Sequence, residues 1–139
     1  ASTIERVLKI LFEELPRHFV DLRGLILKTS MAVAGSEATV HADAKTVAKF
    51  TTDTLIATVP RETAGVVFLS GGQTPEEATN NLREIARLEP LPWQVAFSYS
   101  RALQSDALHA WGGNPANFVE AQLQFLERLE TNAMADQGL

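Results

Sequence analysis

The sequence contains no cysteine. Disulfides, thiolate metal sites and a cysteine nucleophile are excluded, and the composition suits a reducing cytosol, so a cytoplasmic location is expected. Histidine is scarce. His18, His41 and His109 lie far apart, with neither an HxH nor an HxxxH spacing, so no metal is expected. No apolar run approaches the roughly 18 residues of a membrane span, and no signal-peptide core is visible. Positive charge is thin as well: 12 lysines and arginines face 17 acidic residues, for a net charge of -5. Without a basic block of five or more, nucleic acid is not an expected partner. There is no low-complexity linker and no internal repeat by residue identity.

What the sequence does have is apolar patterning. Of its 139 residues, 45% are hydrophobic, which suits one compact domain or one piece of a larger one. Ile4, Val7, Leu8, Leu11 and Leu15 recur at helical spacing, with Ser2 or Thr3 available as the N-cap and Pro16 ending or bending the helix. Leu25-Ile26-Leu27 reads as a short buried strand with Lys28 at its C-terminal end. A loop is expected from Thr29 to about Ala42. Asp43 then caps a helix whose apolar face includes Val47, Phe50 and Leu55, and Pro60 stops it.

Residues Gly65 to Leu69 read as a second buried strand, closed by Ser70-Gly71-Gly72. Thr74 is the expected N-cap of the next helix, with Pro75 at its first position and Glu77 completing a capping box. Its inner face is Ala78, Leu82, Ile85 and Ala86, and Pro90 and Pro92 lie in the connection beyond it. Trp93 to Phe97 reads as a third strand, left by Ser98-Tyr99-Ser100-Arg101. A helix through Leu103, Leu108 and Trp111 is broken by Gly112-Gly113. A long last helix restarts at Asn114-Pro115, burying Phe118, Phe125, Leu126 and Leu129. Its charged residues are expected on a solvated face. Trp93 and Trp111 are expected in the core, and residues 135 to 139 are expected to fray. Apolar strands alternating with helices imply an α/β fold with a parallel sheet. Three strands are few for such a sheet, so something further is expected to cover it.

The chemistry-bearing residues gather at the ends of strands. Lys28 stands among Leu25, Ile26, Leu27 and Met31, where an ammonium loses solvation and a free amine becomes nucleophilic. Position alone leaves the commoner alternative open, an ordinary lysine reaching solvent. Ser70-Gly71-Gly72 is either a tight turn or a glycine cradle for an anion at a helix start. Arg101, after Ser100, either grips a phosphate or makes a surface ion pair. Two adjacent anion-friendly turns favour a phosphate site.

These residues resemble the class I fructose-1,6-bisphosphate aldolases. The resemblance runs through nearly the whole chain, from Thr3-Ile4-Glu5-Arg6 onward. It is strongest at Phe68-Leu69-Ser70-Gly71-Gly72-Gln73, at Phe97-Ser98-Tyr99-Ser100-Arg101-Ala102-Leu103-Gln104 and at Ala110-Trp111-Gly112-Gly113. Gly24-Leu25-Ile26-Leu27-Lys28 aligns with the family's Schiff-base segment, Glu-Gly-x-x-Leu-Lys-Pro. The resemblance implies that residues 1–139 are the C-terminal three strand–helix units of a single (β/α)8 TIM barrel whose N-terminal part is absent from this chain. It implies a lyase that reversibly cleaves fructose 1,6-bisphosphate to dihydroxyacetone phosphate and glyceraldehyde 3-phosphate. Lys28 would form the iminium. Ser70, Gly71, Gly72, Ser100 and Arg101 would hold a phosphate, with no metal or other cofactor. The implied partners are a phosphorylated sugar, the rest of the barrel on this or another chain, and further copies, a tetramer being common in the family. Three positions depart from the family pattern: Arg23 replaces a glutamate, Thr29 a proline and Ser100 a glycine. The family's acid/base carboxylates lie on earlier strands, outside these residues. The alternatives are a Schiff-base aldolase for another ketose phosphate and a non-catalytic half-barrel or assembly module.

Overall fold

The computed structural model describes residues 1–35, 37–88 and 90–139. Ser36, in the loop after the first strand, and Glu89, in the connection before the third, lie outside the described residues. The elements follow the order α1 (Ser2–Glu14), β1 (Ile26–Ser30), α2 (Ala44–Thr58), β2 (Gly65–Leu69), α3 (Pro75–Ala86), β3 (Gln94–Phe97), α4 (Arg101–Trp111) and α5 (Phe118–Ala135). The three strands form one sheet in the order β1-β2-β3, and both pairings are parallel.

The sheet has two unlike faces. Leu27, Thr29 and Met31 alternate onto the face packed by helices, beside Val66, Phe68 and Val95 of the neighbouring strands. Leu8 of α1, Val47 and Leu55 of α2, Leu82 and Ile85 of α3 and Leu103 of α4 complete this core. The opposite face carries Ile26, Lys28, Val67, Leu69, Gln94 and Ala96 and is partly or fully exposed. A parallel sheet is ordinarily buried on both sides; here one layer of helices covers one side only.

Several expectations are corrected by this architecture. β1 runs two residues past Lys28, because Thr29 and Ser30 pair with Phe68 and Leu69. Lys28 is therefore the central residue of its strand, and Leu27 and Met31 point away from it. α1 starts after Ala1 with no side-chain cap, so neither Ser2 nor Thr3 serves, and Val7 is exposed. Trp93 precedes β3, its ring buried and its Nε1 donating to the Pro60 carbonyl at 2.7 Å. Asn114 caps a 3-10 turn, Pro115–Asn117, and α5 begins only at Phe118.

Phe50, Trp111, Phe118 and Leu126 are exposed, against expectation, and Leu108 is exposed as well. Leu108, Trp111 and Phe118, with Phe125, line an apolar groove of about 280 Å³ between α4 and α5. The residues expected to fray are instead tied down: Ala135 is fully buried, and Arg87 Nε donates to the Gly138 carbonyl at 2.9 Å.

Candidate functional site

The carboxyl ends of the three parallel strands share one edge of the sheet. Lys28 sits two residues short of that edge, about 7 Å down the strand at some 3.3 Å per residue. Its register partners are Val67 and, one strand further, Ala96. Its side chain is directed to the open face, where Nζ donates to Ser98 Oγ at 3.1 Å. Alternation explains the pairing: Ala96 and Ser98 face the side that Lys28 faces, while Phe97 and Tyr99 face the helices.

The turn after β2 is built for close approach. The Gln73 amide donates to the Ser70 carbonyl at 3.1 Å, closing the turn, and Ser70 is buried. Gly72 has φ +78°, a left-handed conformation that a Cβ would strain. At Gly71 a Cβ would stand 3.0 Å from Leu69 Cδ1. Among the described residues the amides of Gly71 and Gly72 have no hydrogen-bond acceptor. The helix beyond opens on the expected capping box: the Glu77 amide donates to Thr74 Oγ1 at 3.2 Å, and the Thr74 amide to Glu77 Oε2 at 2.8 Å. From below, Arg128 Nη2 donates to the Pro75 carbonyl at 2.7 Å and to Thr79 Oγ1 at 2.8 Å, fixing α5 to this helix start. Arg128 is a correction to the expected solvated face of α5: its side chain is only 12% exposed.

The turn after β3 is different. The Ser98 amide donates to the Phe68 carbonyl at 2.8 Å, which extends the ladder and holds the exits of β2 and β3 together. Ser100 is the N-cap of α4 but contributes no side-chain hydrogen bond, leaving that helix end open. Arg101 is the first helical residue, exposed and without an ion-pair partner among the described residues. A helix end with free amides beside an unpaired guanidinium attracts anions.

Ser98 and Tyr99 were not singled out as site residues from the sequence. Tyr99 anchors the turn. It is buried, stacks at a tilt on Phe97 with ring centroids 5.6 Å apart, and its hydroxyl donates to the Ala78 carbonyl at 3.0 Å. Burial holds the phenol well above its ordinary value of 10.0, and the nearby Arg128 charge offsets this only in part. The folded-state value is raised, so the associated stability is present below about pH 10 and is lost as pH climbs above it. Tyr99→Phe is expected to lose about 1 kcal/mol at neutral pH. Between pH 8 and pH 11, urea unfolding should show the parent losing more stability than the variant.

Two of the departures from the family pattern lie off the Lys28 face. Arg23 is held by Asp21 through two hydrogen bonds of 3.0 Å, and this pairing also lowers the Asp21 carboxyl from its ordinary range. Thr29 is buried on the helix side. A polar concavity of about 240 Å³ opens beside the glycine turn, lined by His41, Asp43, Gly72, Gln73, Glu77 and Asn81 among others; Lys28 and Arg101 do not line it. Among the described residues no cluster of histidine and carboxylate side chains is arranged to hold a metal. No described helix is long and apolar enough to cross a membrane.

Comparison with known proteins agrees with this geometry. A family model described as fructose-bisphosphate aldolase class-I matches residues 1–139. A fructose-bisphosphate aldolase of Dictyostelium discoideum is 42% identical over 138 residues, covering 99% of this chain and 39% of that protein. The cytosolic fructose-bisphosphate aldolase 4 of Arabidopsis thaliana is 44% identical over 139 residues, covering 99% of this chain and 35% of that one. A solved structure of Plasmodium falciparum fructose-bisphosphate aldolase, in complex with TRAP and a small-molecule inhibitor, superposes with a TM-score of 0.95. It is 42% identical, and the match covers 99% of this chain and 40% of that chain. The chain thus spans about two fifths of the length of the relatives it matches. With a family match over its whole length, the chain belongs to the class I fructose-bisphosphate aldolase family.

Proposed function

We propose that residues 1–139 form the C-terminal three strand–helix units of a (β/α)8 barrel, and that in the complete cytoplasmic enzyme Lys28 cleaves fructose 1,6-bisphosphate through a Schiff base. The remaining units come from further chain or from another polypeptide, and they cover the open sheet face. The complete barrels assemble as homo-oligomers. The observation that carries this reading is the topology: Lys28 lies in β1, two residues short of the carboxyl edge of a parallel sheet at which Ser70-Gly71-Gly72 follows β2 and Ser100-Arg101 follows β3, the edge where barrel enzymes build their sites.

The chemistry follows from the placement. The free amine of Lys28 attacks the ketone carbon, and the carbinolamine loses water to give an iminium. Electrons of the C3–C4 bond then flow toward the positive nitrogen, releasing glyceraldehyde 3-phosphate and leaving an enamine of dihydroxyacetone phosphate. Protonation and hydrolysis free the second product. No metal or diffusible cofactor is required. Ser70, Gly71, Gly72, Ser100 and Arg101 hold the phosphate next to the ketone, through amides at the turns and the guanidinium fork. The acid/base groups reside on the remaining units. Because Arg23 is paired with Asp21 and Thr29 faces the helices, these two departures do not favour another ketose phosphate.

The test is borohydride reduction of the complete protein in the presence of dihydroxyacetone phosphate, followed by peptide mass spectrometry. A reduced adduct on Lys28 is expected. Its absence would instead favour a non-catalytic assembly module.

A further inference from the structure

Arg128 carries a charge that the chemistry above leaves unused. It sits on α5, its side chain 12% exposed, beneath the first turn of α3. Its Nη2 donates to the Pro75 carbonyl at 2.7 Å and to Thr79 Oγ1 at 2.8 Å. Thr79 Oγ1 in turn donates to Asn132 Oδ1 at 3.0 Å, and Asn132 Nδ2 donates to the Arg128 carbonyl at 2.7 Å. Thr79 and Asn132 are buried, so the guanidinium is clamped between two helices. Every acceptor of its hydrogen bonds is neutral. Nε is buried with no hydrogen-bond partner among the described residues. The only carboxylate within ion-pair reach among them, Glu76, stands 3.9 Å from Nη1 and is 70% exposed, so water screens it.

Burying a cation costs desolvation that hydrogen bonds to neutral oxygens offset only in part. Packing α5 on α3 does not call for that cost, because an uncharged donor of similar length would satisfy the Pro75 carbonyl. The place of the charge gives it a use. Pro75 is the first residue of α3, and the chain reaches it directly from the Ser70-Gly71-Gly72 turn. Arg128 thus adds a full positive charge behind a helix start whose own dipole is already positive. Its field also reaches the turn after β3. There it draws the Tyr99 phenol downward, against the burial that raises it.

We infer that Arg128 is a positioning residue for phosphate: a buried counter-charge that acts through the start of α3 on an anion held at the glycine turn, without touching that anion. The inference rests on the phosphate reading above. With no anion at the turn, the guanidinium is under-neutralised. A phosphate on the free amides of Gly71 and Gly72 supplies the missing negative charge. The path between them runs past buried Ala78 and Thr79, where attraction is stronger than at a wet surface. Arg101 grips the same anion directly, as a fork. Arg128 sets how strongly the turn draws it in.

The experiment compares the complete parent enzyme with Arg128→Gln and Arg128→Lys. Glutamine keeps a donor for the Pro75 carbonyl and removes the charge, whereas lysine keeps the charge and removes the fork. Inorganic phosphate is the probe. Its inhibition constant against fructose 1,6-bisphosphate is measured, with the rise in melting temperature it produces. Alongside these, kcat, KM and borohydride trapping of unphosphorylated dihydroxyacetone are followed. Arg128→Gln is expected to weaken phosphate inhibition and raise KM by about 10-fold, the scale on which one poorly screened charge acts through protein. Its kcat should stay within about twofold, because a phosphate anchor acts on bound substrate and transition state alike. Trapping of dihydroxyacetone should not change. Arg128→Lys should hold phosphate within about threefold of the parent, even with a lower melting temperature, since its charge remains. Equal phosphate affinity in the parent and Arg128→Gln would overturn the inference while leaving the phosphate reading intact. A tenfold loss of phosphate affinity in Arg128→Lys would overturn it in favour of a mere helix brace, whether or not Arg128→Gln folds. A parent that phosphate neither inhibits nor stabilises would overturn the phosphate reading, and this inference with it.

Discussion

Replacing Lys28 with methionine in the complete enzyme is expected to abolish the borohydride-trapped adduct and to lower kcat for fructose 1,6-bisphosphate by roughly 10,000-fold or more, the scale seen when a covalent nucleophile is removed. Nothing else in the described residues can replace it on this face. The other positions at the edge of the sheet carry hydroxyls, glycines and a guanidinium, none of which condenses with a ketone. The substitution should be gentle on the fold. Lys28 is exposed, the only hydrogen bond of its side chain among the described residues is to Ser98, and methionine keeps an unbranched chain of similar length. A change within about 0.5 kcal/mol in stability is expected, typical of surface positions. Binding should be affected far less than chemistry, because Arg101 and the glycine turn remain. The combination of normal melting, retained phosphate affinity and lost turnover separates a missing nucleophile from a damaged protein. An adduct that persisted in Lys28→Met, on any other lysine, would move the Schiff base off this strand.

The parts of this molecule that could be read from sequence are those whose signals are local. Gly65 to Leu69 is apolar throughout and bounded by small residues, so β2 is found with its limits intact. Thr74-Pro75-Glu76-Glu77 contains its whole cap within four residues, so the start of α3 is found to the residue. Where burial depends on distant pairing, the sequence is silent. Thr29 is polar, yet it lies inside because Phe68 pairs with it across 39 positions; a strand ended at Leu27 is the natural misreading. Phe50, Trp111 and Phe118 are apolar and were expected inside, but hydrophobic identity does not say whether a neighbour is there to cover them.

The site divides in the same way. The glycine turn is visible because it needs φ above zero and few residues supply it. Lys28 is visible as a chemical type, but its surroundings were assigned to the wrong residues, since alternation sends Leu27 and Met31 to the opposite face. Ser98 stands 70 residues from Lys28, and only the three-strand register brings them together. Arg128 looks like one more charge on an amphipathic helix until the carbonyl of Pro75 and the hydroxyl of Thr79 are found beneath it.

Arg101→Met is the second large effect expected. Arg101 begins α4 with no ion pair among the described residues, and the helix end behind it lacks a side-chain cap. Such a guanidinium is available to a phosphate as a two-pronged donor, and each charge-assisted bond is worth about 1.5 to 3 kcal/mol when made to a charged acceptor. Losing both prongs, with water partly replacing them, should cost about 3 to 4 kcal/mol, or roughly 100- to 1,000-fold in kcat/KM. The loss should fall largely on KM, because a phosphate anchor acts on bound substrate and transition state alike. Arg101→Lys should retain part of the affinity as a point charge, but not the fork. Substrate chemistry supplies the decisive control. Dihydroxyacetone, which has the ketone but no phosphate, gives Arg101 nothing to hold. The parent and Arg101→Met should therefore trap it on Lys28 at equal, slow rates, while the parent traps dihydroxyacetone phosphate far faster. A variant that also lost trapping of the unphosphorylated ketone would place Arg101 in the folding of the turn and not in phosphate recognition.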